Sequence, residues 1–117
     1  MEIIFWGMIS IMNLEPYQLT AHKASNLISS GSLTSLELVN SCLNQFSKTE
    51  SSIKAWEYLD CEKVILQALE CDHLYKIGKK IGPLHGIPIG IKDIIDTTDM
   101  PTNWYGSKII IDIIPQK

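Results

Sequence analysis

The segment Ile87-Pro88-Ile89-Gly90-Ile91-Lys92 constrains this chain more than any other, because the strand it predicts is apolar on both faces. Such a strand belongs in a sheet covered from two sides, and Ile109–Ile114, interrupted only by Asp112, reads the same way. The elements upstream are modest. A short amphipathic helix is expected after Leu19-Thr20, with Ala24, Leu27 and Ile28 on one face and Gly31 as its stop. Thr34-Ser35-Leu36-Glu37 fits a capping box for a second helix, whose buried stripe is Val39, Cys42, Leu43 and Phe46. A polar break at Ser47–Ser52 follows, then a half-buried strand over Ile53–Leu59, where apolar and polar residues alternate. Asp60 caps a third helix running roughly to Ile77, ended by Gly78, and Gly82-Pro83-Leu84-His85-Gly86 is a turn-rich connector.

Two doubly buried strands, one half-buried strand and three short helices do not balance, since covering both faces of a sheet takes more helical layer than this. Of the 19 Ile residues, 11 lie beyond position 80. The expectation is therefore an α/β chain that forms the front part of a larger domain, with residues 14–117 inside it. The apolar stretch 1–13 reads as an N-terminal extension: it lacks a basic n-region and a cleavage site, and it is shorter than the roughly 20 residues a bilayer span needs.

Charge and cysteine usage narrow the function classes. With 13 acidic residues against 10 basic ones, and no Arg among the latter, the chain lacks the clustered positive charge that tracks phosphates or an anionic membrane. Direct nucleic-acid binding and membrane association are not expected. Cys42, Cys61 and Cys71 are odd in number and widely spaced, which implies no disulfide framework and fits a reducing, cytoplasmic setting.

The residue that draws attention is Lys92, at the end of the apolar strand between Ile89, Ile91, Ile94 and Ile95. An amine held among aliphatics is disfavoured as the cation, and a neutral amine can act as a base. Taken alone, a Lys ending a strand reads as a solvated terminus. Asp93, Asp96 and Asp99 recur beside Thr97 and Thr98, and self-capping turns account for them better than a divalent-cation loop, since no bidentate Glu or tight-bend Gly accompanies them. His22, His73 and His85 are scattered, so no zinc site is expected. The glycines between 78 and 90 lack the Gly-x-x-x-x-Gly-Lys-Ser/Thr pattern of a phosphate loop, so no cofactor is expected either.

Taken together, the stretch from Gly82 to Thr97, with Met100-Pro101-Thr102 and Gly106-Ser107 after it, resembles the lysine-bearing segment of the amidase signature family. Leu19-Thr20-Ala21-His22, the run Gly31–Leu38 and Ile53-Lys54-Ala55-Trp56 resemble that family's leading helices and first strand, so the likeness spans about Leu14 to Pro115. The resemblance implies an α/β/α layered domain around a mixed sheet, incomplete in this chain, and hydrolysis of amide carbon–nitrogen bonds by a Ser–cis-Ser–Lys triad. Lys92 matches the triad lysine. In the family both serines lie downstream of the lysine in a Gly/Ser-rich stretch, which these 117 residues do not reach. Ser29-Ser30-Gly31-Ser32 precedes the lysine and sits at a helix end, where Ser and Gly have a capping role. Ser51-Ser52 and Gly106-Ser107 are no better candidates. The Asn103-Trp104-Tyr105 loop is one residue longer than the family pattern.

The implied reading is an N-terminal amidase portion that supplies the lysine and is inactive alone, its partners being a small-molecule amide substrate, a second copy, or the remainder of the amidase domain. The alternatives are part of the A subunit of a tRNA-dependent amidotransferase, or a non-catalytic fragment that binds a partner through an open sheet edge. Ile53–Asp60 is closer to the small-molecule amidases.

Overall fold

The computed structural model describes residues 14–103. A 3-10 turn, Pro16–Gln18, is followed by three helices: α1 (Ala21–Ser29), α2 (Ser35–Ile53) and α3 (Cys61–Lys76). Each starts where a short polar side chain satisfies an otherwise unpaired amide. The Thr20 hydroxyl accepts from the Lys23 amide, Thr34 from Glu37, and the Asp60 carboxylate from Lys63. The capping box is present as expected, with the Glu37 carboxylate returning to accept the Thr34 amide at 2.8 Å. Helices α1 and α3 both end in the Schellman pattern. Gly31 and Gly78 take positive φ, and the next amide bonds five residues back, Ser32 to the Leu27 carbonyl and Lys79 to that of Leu74.

The core is small and sits where α1 meets α2. Ala24, Ile28 and Leu38 are buried together, with Leu19, Leu33, Cys42 and Ile87 half-buried against them. Val39 and Ala68 are buried as well, and α2 packs on both α3 and the Pro16–Gln18 turn. The expected stripe on α2 is incomplete: Val39 is buried and Cys42, Leu43 and Phe46 half-buried, but Leu38 and Ser35 are buried more deeply than the last three. Burial pushes the Cys42 thiol up from its ordinary value.

Two expected elements differ. The polar break at 47–52 is helical, and α2 continues through it to Ile53. The stretch contains neither Gly nor Pro, and Ser47, Thr49 and Ser52 turn their hydroxyls back onto the carbonyls of Asn44, Gln45 and Thr49. The helix stops at Lys54, which adopts the left-handed conformation at φ 51°, and the Glu50 side chain then accepts the Trp56 amide at 2.9 Å.

The second difference concerns the sheet. Among the described residues there is no strand: 54–60 and 87–92 are irregular, and the regular elements described are helices, so the sheet of the expected α/β layering is not seen there. The expected strand at Ile109–Ile114 lies outside the described residues. A strand is defined by its neighbour's ladder of hydrogen bonds, and neither described segment has a paired neighbour. Their apolar side chains stay exposed, including Trp56, Tyr58, Ile89 and Ile91.

Candidate active-site segment

The lysine-bearing segment is held at its start by a turn, residues 81–86, that touches all three helices. From α1, the Ser25 hydroxyl donates to the Pro83 carbonyl. From α2, the buried Ser35 hydroxyl donates to the Gly86 carbonyl at 2.7 Å. Towards α3, His85 places Nε2 at 2.7 Å from the Cys71 carbonyl while its Nδ1 accepts the Ile81 amide at 3.2 Å. An amide on Nδ1 and a carbonyl on Nε2 together assign the neutral ring with its proton on Nε2. Gly86 is required at its position: its φ is +76°, and a Cβ there would lie 3.0 Å from that of Ser35.

The same part of α3 also holds the start of α2. The Asp72 carboxylate accepts the Ser35 amide at 2.7 Å and the Leu36 amide at 3.0 Å, placing negative charge at the positive end of the α2 dipole. None of Ser35, Asp72 or His85 was singled out from the sequence for this role. The signal available was weak: a His inside a Gly-Pro-rich turn is more often solvated than enclosed, and Asp72 lies 37 residues from the amide it caps.

Beyond Ile87 the anchoring loosens. Trp56 leans over Gly90, where a Cβ would come within 3.0 Å of its ring. Ile89 is 71% exposed and Ile91 41%, and Lys92 itself is exposed. The expected aliphatic enclosure of Lys92 by Ile89, Ile91, Ile94 and Ile95 is thus not formed among the described residues, because those side chains face outward with no layer against them. The Lys92 carbonyl accepts the Ile95 amide at 2.9 Å, closing a turn. Asp93 accepts the Asn103 amide at 2.8 Å, and Asn103 donates from its side chain to Glu57 at 3.2 Å.

Asp99 pairs with Lys63 of α3 at 2.8 Å. The hydrogen bond, and then the charge, hold the Asp99 carboxyl below its usual range and the Lys63 amine above its own. The carboxylates Asp93 and Asp99 therefore go to different partners, an amide and an ammonium. Among the described residues no three His, Cys, Asp or Glu side chains are grouped to hold a metal. At the Ser29–Ser32 stretch the Ser30 hydroxyl donates to the Leu27 carbonyl at 3.0 Å, and Ser29 accepts from Lys80, in line with its expected place at a helix end. Trp56 and Tyr58, within the half-buried strand expected over Ile53–Leu59, are about half exposed.

No helix among the described residues is long and apolar enough to cross a membrane. Comparison with known proteins relates this sequence to characterised relatives. The glutamyl-tRNA(Gln) amidotransferase A subunit of Chloroflexus aggregans is 38% identical over 101 residues, 86% of this chain and 20% of that protein. The protein of the same name from Natranaerobius thermophilus is 37% identical over 99 residues, 85% of this chain and 20% of its own length. That from Streptomyces avermitilis is 33% identical over 103 residues, 88% and 20% respectively. The chain thus spans about a fifth of the length of the curated relatives it matches. No solved structure matches it. The family model described as Amidase matches residues 37–117, which takes in α2 from Glu37 onward, α3, the anchored turn and Lys92, and the chain belongs to the amidase family.

Proposed function

We propose that this chain forms the lysine-bearing portion of an amide-hydrolysing domain of the kind found in the amidotransferase relatives, with Lys92 as the triad lysine. The observation that carries the reading is that the family match runs through Gly82–Thr97 while those relatives align over more than four fifths of the chain. They favour this alternative over the small-molecule amidases suggested by Ile53–Asp60. The α/β/α layering around a mixed sheet belongs to the same proposal, with residues 14–117 forming the front of the domain. The exposed Ile89, Ile91, Ile94 and Ile95 are the surface such a sheet would cover.

In the proposed reaction a neutral Lys92 accepts, through a bridging serine, the proton of a nucleophilic serine. That serine's oxygen bonds to the amide carbonyl carbon, and backbone amides stabilise the oxyanion. The carbon–nitrogen bond then breaks, the nitrogen takes the proton and leaves as ammonia, and water resolves the acyl-enzyme. Both serines come from the remainder of the domain, and glutamine is the proposed ammonia source. Coverage by that remainder would supply the dry, aliphatic setting a neutral lysine needs, which the described residues alone do not provide. The free thiols at Cys42, Cys61 and Cys71 support a reducing, cytoplasmic location.

The test is a chimera in which this chain replaces the matching region of the Chloroflexus aggregans relative, assayed for ammonia release from glutamine. Release that disappears in Lys92→Ala, with folding retained, supports the proposal. Release unchanged in Lys92→Ala overturns the role of that residue.

A further inference from the structure

We infer that His85 is a positioning residue for the lysine-bearing segment: its ring locks the 81–86 turn to the Cys71 carbonyl of α3 and so fixes the point at which Ile87–Lys92 leaves the helices. The catalytic consequence rests on the reading of Lys92 above. The lock rests on geometry. His85 is 6% exposed in a molecule whose described core holds few fully buried side chains, and both ring nitrogens are used within the fold. Neither is available to a substrate. The two other anchors of the turn, from Ser25 and Ser35, engage the carbonyls of Pro83 and Gly86, groups that any residue in those positions would present. The third is different, because it comes from the turn's own side chain and from no other residue type with the same donor and acceptor on one rigid ring.

Position along α3 strengthens the argument. Cys71 receives the His85 ring and its neighbour Asp72 holds the first amides of α2, so consecutive residues of one helix set both the start of α2 and the start of the lysine segment. Ser35 closes the loop, since its amide is held by Asp72 and its hydroxyl holds Gly86. The segment that carries Lys92, seven residues beyond His85, takes its starting point from this frame, and a displacement of about 1 Å at a reacting group can cost on the order of 100-fold in rate.

Two measurements test the inference. In the 117-residue chain, amide hydrogen exchange should show the Ile81 amide protected, and exchanging roughly tenfold faster or more in His85→Leu while α2 and α3 keep their protection. His85→Gln, which carries a donor and an acceptor on one amide, should restore most of that protection, and it decides the matter if His85→Leu fails to fold. A long-range proton–nitrogen spectrum should show the neutral ring protonated at Nε2. In the chimera, His85→Leu should lower kcat for ammonia release by on the order of 10- to 100-fold with KM within about twofold, and His85→Gln should recover most of it. Equal protection of Ile81 in parent and His85→Leu overturns the lock, and an unchanged kcat overturns its positioning role. If instead Lys92→Ala keeps full ammonia release, the amidase reading of Lys92 fails while the exchange result still decides the lock.

Discussion

The turn at 81–86 and the segment at 88–95 are neighbours with similar composition, both rich in Gly, Pro and aliphatic residues, yet they meet opposite fates. In the turn, His85 is buried, two helices hold the backbone and the third holds the His85 ring. In the segment, Ile89, Ile91, Ile94 and Ile95 are all exposed, Ile89 at 71%. Apolar composition did not decide between them. What differs is whether polar groups of already formed helices are within reach: the turn passes Ser25, Ser35 and Cys71, whereas the segment meets the Trp56 ring and, at Asp93 and Ile95, the loop residues Asn103 and Thr102. A loop is fixed by the hydrogen bonds its backbone and polar side chains make, and apolar side chains add to it only where a second layer exists to receive them.

The sharpest way to break this comparison is to add one methyl group at each of its two crowded glycines. Gly86→Ala should destabilise the chain by about 2 to 4 kcal/mol, combining a left-handed conformation with contact against the buried Ser35. Gly90→Ala should cost less than about 1 kcal/mol, since φ there is ordinary and the contact is with the ring tip of an exposed Trp56 that can swing away. Urea unfolding of both variants reads the difference directly, and equal costs would mean that the segment is as tightly held as the turn.

The next largest effect concerns the frame. Asp72→Ala removes the acceptor of two amides at the start of α2 and should cost about 1 to 2 kcal/mol by the same measurement. It should also loosen the turn, seen as faster exchange at the amides of 85 and 87. Thr34→Ala removes a cap from the same helix end but leaves Asp72 in place, and should cost about 1 kcal/mol with the turn unaffected. A larger loss in Thr34→Ala than in Asp72→Ala would show that the tie between helices matters less than the local cap.

The smallest effect lies at the far end of the segment, where Lys63 and Asp99 pair in the open. Asp99 is held below its ordinary value, so its contribution is present above the usual carboxylate range and is lost as pH falls through the lowered value. Lys63 is held above its ordinary value, so its contribution is present below the usual lysine range and is lost as pH rises through the raised value. The pair therefore stabilises between those two ranges, weakly because it is solvated, and raised salt should reduce it. Lys63→Met should flatten the acid side of the stability profile slightly, and a large change there would place the pair in a more enclosed setting than its exposure indicates.

The helix signals were largely legible because they are local. Thr20, the Thr34 and Glu37 pair, Asp60, Gly31 and Gly78 each act on amides or carbonyls within five residues, so type and spacing suffice. The end of α2 was not, since Ser47–Ser52 carries helix-tolerant polar residues whose composition resembles a linker. The strands expected at 53–59 and 87–92 required a partner to exist as strands, which is a property of the neighbour and not of the run itself. Within the candidate site, Lys92 is proposed from its surrounding motif, while the ties of Ser35, Asp72 and His85 between elements were invisible because those partners lie 14 to 51 residues away.

By itself the sequence determined where the helices begin, where two of them end, and that the Gly82–Thr97 motif marks an amidase lineage, because caps and motifs are written in contiguous residues. The tertiary structure alone decided that a Gly-Pro connector becomes a loop tied to three helices and that the apolar run after it stays exposed. Both outcomes depend on what distant backbone and side-chain groups are close enough to accept a hydrogen bond or bury a methyl, and that proximity exists only once the helices have packed.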